Sequence, residues 1–224
     1  MTRVLCFALL GLATAWADGL QDAFAHMDRA AQTFKAMTSR LQETTYTALA
    51  KDTSVQSGEI KLKREKNGDV HTLINFTEPQ PETVSFDGKE ARIYYPKTKT
   101  VNVYDVSSKK DILEQVMVLG FGATSSAVKA DYDVVDIGPE NIDGKPTQHL
   151  KLTPKSKEMQ QRFRWAELWI SDALGVPLQQ KFITANTGDY TQFTYSGLQL
   201  APSLSDKDLQ LKTPKDAQIK QMGR

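Results

Sequence analysis

The chain has 224 residues, 40% of them hydrophobic and 25% charged, enough apolar material for one substantial core. Lys and Arg number 28 against 27 Asp and Glu, so the formal net charge is +1, without the basic excess of a dedicated nucleic-acid binder. A single Cys excludes a disulfide framework and any multi-cysteine metal site, and the lack of a long apolar run beyond the first residues excludes a polytopic membrane protein.

Residues 1–17 read as a secretory signal peptide. Met1-Thr2-Arg3 is basic, Val4 to Ala13 is almost wholly apolar, and Ala15-Trp16-Ala17 places small residues where a signal peptidase reads them. The expected cut follows Ala17. It leaves residues 18–224 as one domain without thiols, in keeping with the periplasm. Cys6 lies inside the apolar stretch, not at its end, which argues against a lipoprotein signal.

A helix follows. Leu20, Phe24, Met27, Ala31, Phe34, Met37 and Leu41 recur at spacings of three and four, one apolar stripe on a 3.6-residue period, with Asp18 as N-cap. From about Thr44 the period falls to two. Strands are expected at 44–50, 58–65, 70–77, 83–86, 91–95, 100–106, 132–137, 148–153, 163–171, 178–184 and 190–200, with a last short one at 208–212. Asn67-Gly68 is the strongest hairpin signal, and Asp87-Gly88, Asp143-Gly144 and Thr187-Gly188 mark other reversals. The pattern predicts an α+β, mainly β fold: a sandwich or barrel of about eleven antiparallel strands with an N-terminal helix.

The interruption at 108–129 is unusually apolar. Ile112, Leu113, Val116, Met117, Leu119 and Phe121 crowd within ten residues before Gly122. The segment reads either as a crossover helix plugging one end of the barrel or as a lid helix hinged on glycines over an apolar cavity. In the strand at 58–65, Ile60, Leu62 and Arg64 share one face. Arg64 either stands on the inner wall, where it needs acceptors such as the unsatisfied carbonyls of a helix end, or snorkels to water at the strand end. Ile74 and Phe76 extend the apolar wall. Phe163, Trp165 and Trp169 are expected on one face of their strand, either lining the barrel or, with Arg162 and Arg164, forming a docking patch.

Ser57-Gly-Glu-Ile-Lys-Leu-Lys-Arg64, Glu78-Pro79, Val84-Ser-Phe-Asp-Gly-Lys89 and Ile93-Tyr-Tyr-Pro96 together resemble the LolA family of periplasmic outer-membrane lipoprotein carriers. Leu168-Trp-Ile170, Gly175-Val-Pro-Leu-Gln179, Thr187-Gly-Asp-Tyr-Thr191 and Leu209-Gln-Leu-Lys-Thr-Pro214 extend the likeness over most of the chain. Glu65 stands where that family has Pro, and the strand at 70–76 lacks its tryptophan. The resemblance implies an unclosed antiparallel β-barrel covered by helices around an acyl-chain cavity, with Arg64 as the latch that holds the lid. It implies acylated lipoproteins or lipids as cargo, an inner-membrane ATP-driven transporter as donor and an outer-membrane acceptor. It also implies a monomer with no cofactor.

Two other classes stand against a carrier. An enzyme is disfavoured: His26, His71 and His149 fit no ligand spacing, and HExxH, GxSxG and the phosphate-binding GxxxxGK[ST] are all missing from the sequence. No catalytic or metal-binding residue is expected. A regulator of the same fold, sensing lipids or lipoproteins, is the third class; such proteins carry a second domain, and only 214–224 follow the last expected strand.

Overall fold

A computed structural model describes residues 15–109 and 119–222. Helix α1 (Ala15–Thr33) leads into β1 (Ala36–Thr47), β2 (Asp52–Arg64), β3 (Val70–Glu78), β4 (Glu82–Phe86), β5 (Glu90–Tyr95) and β6 (Thr100–Asp105). After residue 118 come α2 (Ser125–Asp131), β7 (Tyr132–Ile142), β8 (Lys145–Pro154), the single turn α3 (Lys157–Gln160), β9 (Phe163–Ser171), β10 (Pro177–Thr184), β11 (Tyr190–Leu200) and β12 (Gln218–Met222).

The twelve strands form one sheet in the order β12-β6-β5-β4-β3-β2-β1-β11-β10-β9-β8-β7. Its two edges, β12 and β7, do not pair with each other, so the curled sheet is an unclosed barrel, as the sequence led us to expect. Every pairing is antiparallel except that of β12, which runs parallel to β6 from Gln218 opposite Thr100 to Met222 opposite Tyr104. The strand expected at 208–212 is not formed. A 3₁₀ turn at Asp206–Asp208 is fixed by Ser205, whose backbone N–H donates to Asp208 at 2.8 Å. Leu211 and Ala217 then pack on Tyr94, Val101 and Val103, covering the outer face of β5 and β6.

The start of the sheet also differs from expectation. The helix ends at Thr33, and Met37 and Leu41 belong to β1. A spacing of four keeps two residues on one face of a helix and equally on one face of a strand. Ser39, buried between them, completes the two-residue alternation. At the other end α1 begins at Ala15, so Asp18 lies in its first turn instead of capping it.

The inner face follows from strand alternation. Met37, Leu41, Ile60, Leu62 and Phe76 form one buried cluster, and Leu150, Leu152, Ala166, Leu168 and Ile170 form another. Each fully buried Leu or Ile contributes about 1.5–3 kcal/mol. Helix α1 lies over the second cluster through Phe24 and Met27. This approach requires Gly175 in the β9–β10 turn: its φ is +65°, and a Cβ there would stand 2.2 Å from the carbonyl oxygen of His26 in α1. Asp28 of α1 accepts from the backbone N–H and the hydroxyl of Ser125, both at 2.7 Å, and so pins the start of α2. Among the described residues no helix is long and apolar enough to cross a membrane.

Candidate functional site

Strand β2 carries Ile60, Leu62 and Arg64 to the inner face in succession, with the arginine at its last position. The guanidinium donates from Nη1 to the carbonyl of Gly122 at 2.9 Å and from Nη2 to the carbonyl of Phe121 at 3.3 Å. It also lies 5.9 Å from the centre of the Phe34 ring. The arginine is therefore turned inward, onto backbone carbonyls. Gly120 and Gly122 have φ of +83° and +70°, and a Cβ at Gly122 would come within 2.7 Å of the Phe34 ring. Glycine at 122 allows this close approach in a left-handed turn. Of the expected lid residues, Ile112, Leu113, Val116 and Met117 lie outside the described residues; Leu119 and Phe121 are described and buried.

A second fastening was not foreseen. Gln180 of β10 donates from Nε2 to the carbonyl of Leu119 and accepts from the Tyr195 hydroxyl at 2.7 Å. Tyr195 in turn meets Phe121 edge-on at 5.1 Å, and Phe121 tilts against Phe34 at 6.3 Å. Burial, then the charge of Glu43, pushes the Tyr195 phenol above its ordinary value, so it stays a neutral donor. The carbonyls of Leu119, Phe121 and Gly122 are thus all held by side chains from the sheet, and the fully buried Phe121 fills the space beneath.

What remains of the hollow is a cavity of ≈ 100 Å³ lined by Leu41, Ile60, Leu62, Thr72, Ile74, Gln180, Phe182, Phe193 and Tyr195. Ile60, Leu62 and Ile74 line this cavity, and Phe76 lies in the same buried cluster as Ile60 and Leu62. This space is smaller than ordinary ligand pockets, which run roughly 300–1,000 Å³. A second hollow of ≈ 300 Å³ is lined by Arg64, Leu119, Gly122, Ala123, Thr124, Ala127, Val128, Asp131 and Tyr132.

Trp165 and Trp169 do not line the cavity. Ala166, Leu168 and Ile170 take the inner face of β9, so alternation sends both tryptophans outward. A register shift between Ile183 and Thr184 returns Phe163 to the inside. Outside, Trp169 stacks on His149 at 4.1 Å and donates to Glu140, while Trp165 donates to Glu167 and lies 4.3 Å beneath the Lys151 ammonium. The His149 ring, 3.5 Å away, holds the Glu167 carboxyl below its usual value, against the opposing effect of burial. Elsewhere on the inner face, Glu43 follows Leu41 along β1. Burial first, then the charge of Glu82, raises its carboxyl above the ordinary range. Among the described residues no group of three or more His, Cys, Asp or Glu side chains is placed to hold a metal ion.

The model of the MucB/RseB N-terminal domain family matches residues 29–213. No curated protein matches the chain. Among solved structures, MucB is similar at 16% identity and a TM-score of 0.52, covering 88% of this chain and 64% of that one. This chain thus spans 64% of the length of MucB. An uncharacterized conserved protein from Thermus thermophilus is similar at 13% identity and a TM-score of 0.55, covering 91% and 99%. A LolA-superfamily protein from Nitrosomonas europaea also matches, at 14% identity and a TM-score of 0.40, covering 84% and 97%. The family matched is not LolA itself. With the match running from Arg29 to Thr213, the protein belongs to the MucB/RseB N-terminal domain family.

Proposed function

We propose that this domain binds the acyl chain of a lipid or lipoprotein beneath the Leu119–Gly122 turn, and that seating the chain frees the turn from Arg64 and Gln180. The observation that carries the reading is an apolar cavity whose lining residues Gln180 and Tyr195 also reach the Leu119–Gly122 turn, with three carbonyls of that turn held by donors from the sheet. Lifting the turn would join the two hollows into one space within the ordinary range of ligand sites. Burying a chain of about sixteen carbons is worth roughly 12 kcal/mol at ~0.8 kcal/mol per CH₂. That exceeds the cost of unseating Phe121, about 1.5–3 kcal/mol, and of breaking hydrogen bonds worth about 0.5–3 kcal/mol each. Reclosure returns this energy, so bound cargo leaves more readily for a tighter acceptor.

In a carrier, that property would pass lipoproteins from an inner-membrane ATP-driven transporter to an outer-membrane acceptor. The signal peptide expected at 1–17 supports a periplasmic setting for the chain. A second reading, a lipid- or lipoprotein-sensing regulatory module, draws support from the match to MucB/RseB in place of LolA. In that reading a partner protein responds to the position of the turn. Mass spectrometry of the full-length protein purified from periplasm tests the common premise. An acyl lipid or acylated peptide at about one per chain is the expected result, and no apolar ligand after gentle purification would contradict it. Transfer of lipid between two vesicle populations would then mark a carrier, and lipid-dependent release of a bound partner a sensor.

A further inference from the structure

The cavity between Ile60, Leu62 and Phe182 contains one group that its packing does not need. Thr72 is 2% exposed and lines the cavity, yet its hydroxyl has no hydrogen-bond partner. Its neighbours across the sheet are Leu62 on β2 and Phe86 on β4, both buried and apolar. Valine would fill the same volume, whereas a buried hydroxyl without a partner costs folding free energy. The other polar groups of the cavity, Gln180 and Tyr195, are bonded to each other and to the lid. Thr72 is also well placed along the strand. It pairs with Leu62, two residues from Arg64, so its row lies roughly 7 Å below the lid fastening. A chain pointing inward with its headgroup at the Leu119–Gly122 turn would bring its acyl carbonyl to about this depth.

We propose that the Thr72 hydroxyl donates to a carbonyl of the bound lipid, so that the site selects ester-linked (or amide-linked) acyl chains over chains joined through ethers. The inference rests on the acyl-binding reading above and adds a residue that reads the linkage. No bond is made or broken, because the hydroxyl keeps its proton.

The test titrates full-length protein by calorimetry with a short-chain diacyl phosphatidylcholine and with its dialkyl ether counterpart of equal chain length, both below their micelle concentrations. Wild type should prefer the ester by about three- to tenfold, the range of one hydrogen bond. Thr72→Val should bind the ether as wild type does, lose the preference and melt no lower than wild type. Thr72→Ser should keep the preference. Equal affinities in wild type, or a preference that survives in Thr72→Val, would overturn the role of the hydroxyl. Failure of wild type to bind either lipid would instead remove the acyl-binding reading, and this inference with it.

Discussion

Replacing Arg64 with Leu removes two hydrogen bonds from a cation to the carbonyls of Phe121 and Gly122, at 3.3 and 2.9 Å respectively. A hydrogen bond to a charged group is worth about 1.5–3 kcal/mol, so the 2.9 Å bond alone contributes about 2 kcal/mol and the longer one adds less. A loss of about 2 kcal/mol shifts the closed-to-open ratio of the turn by roughly 30-fold. The apparent affinity for a ligand that enters the open form alone rises with the open fraction. Arg64→Leu should therefore bind a fluorescent fatty acid at least about tenfold more tightly than wild type, up to the limit at which the open form predominates. Amide exchange at 119–122 should quicken by a comparable factor, while exchange in the β8–β9 core stays as it was. An affinity and an exchange rate both equal to wild type would show that the arginine does not hold the turn.

Gly175→Ala places a side chain at φ +65° and a Cβ 2.2 Å from the His26 carbonyl. The conformation alone costs about 1–2 kcal/mol, and the clash with α1 adds to it. The melting temperature should fall by several degrees, at about 2–4 °C per kcal/mol, and an unchanged value would mean that α1 is not seated on the β9–β10 turn. Glu43 has its folded pKa raised by burial and by Glu82. The folded state thus holds this proton more firmly than the unfolded chain does, and the resulting stability is present in acid and lost as pH rises through the folded value. Glu43→Gln should melt above wild type at neutral pH, with the gap closing toward about pH 4, near the ordinary carboxyl value; a gap constant over that range would contradict the burial of the carboxylate.

The barrel was legible because two-residue alternation and turn residues coincide. Asn67-Gly68 separates β2 from β3, and β9 and β11 lie where the sequence put them. Arg64 was legible for the same reason, as a charge in phase with Ile60 and Leu62. Other features depend on longer-range structure. Met37 and Leu41 satisfy both periods, so only pairing with β2 and β11 decides between helix and strand. Trp165 and Trp169 were expected alongside Phe163, and the register shift at Ile183 breaks that phase. The parallel β12 depends on a crossing of the outer face that no local pattern encodes. Gln180 did leave a signal: in Leu178, Gln180 and Phe182 a single amide stands in phase with buried apolar residues, just as Arg64 does in β2. Thr72 escaped notice because threonine is common in strands, and a missing hydrogen-bond partner shows only in three dimensions.

In the proposed binding mode an acyl chain lies between the sheet and the Leu119–Gly122 turn. Photo-crosslinking tests it most directly, with a fatty acid carrying a diazirine at its far end and the labelled residues mapped by mass spectrometry. Label at Ile60, Ile74, Phe182 or Phe193, competed away by unlabelled fatty acid, is the predicted result. Competable label confined to the outer face, around Trp165 and Trp169, would place the ligand elsewhere and contradict the account.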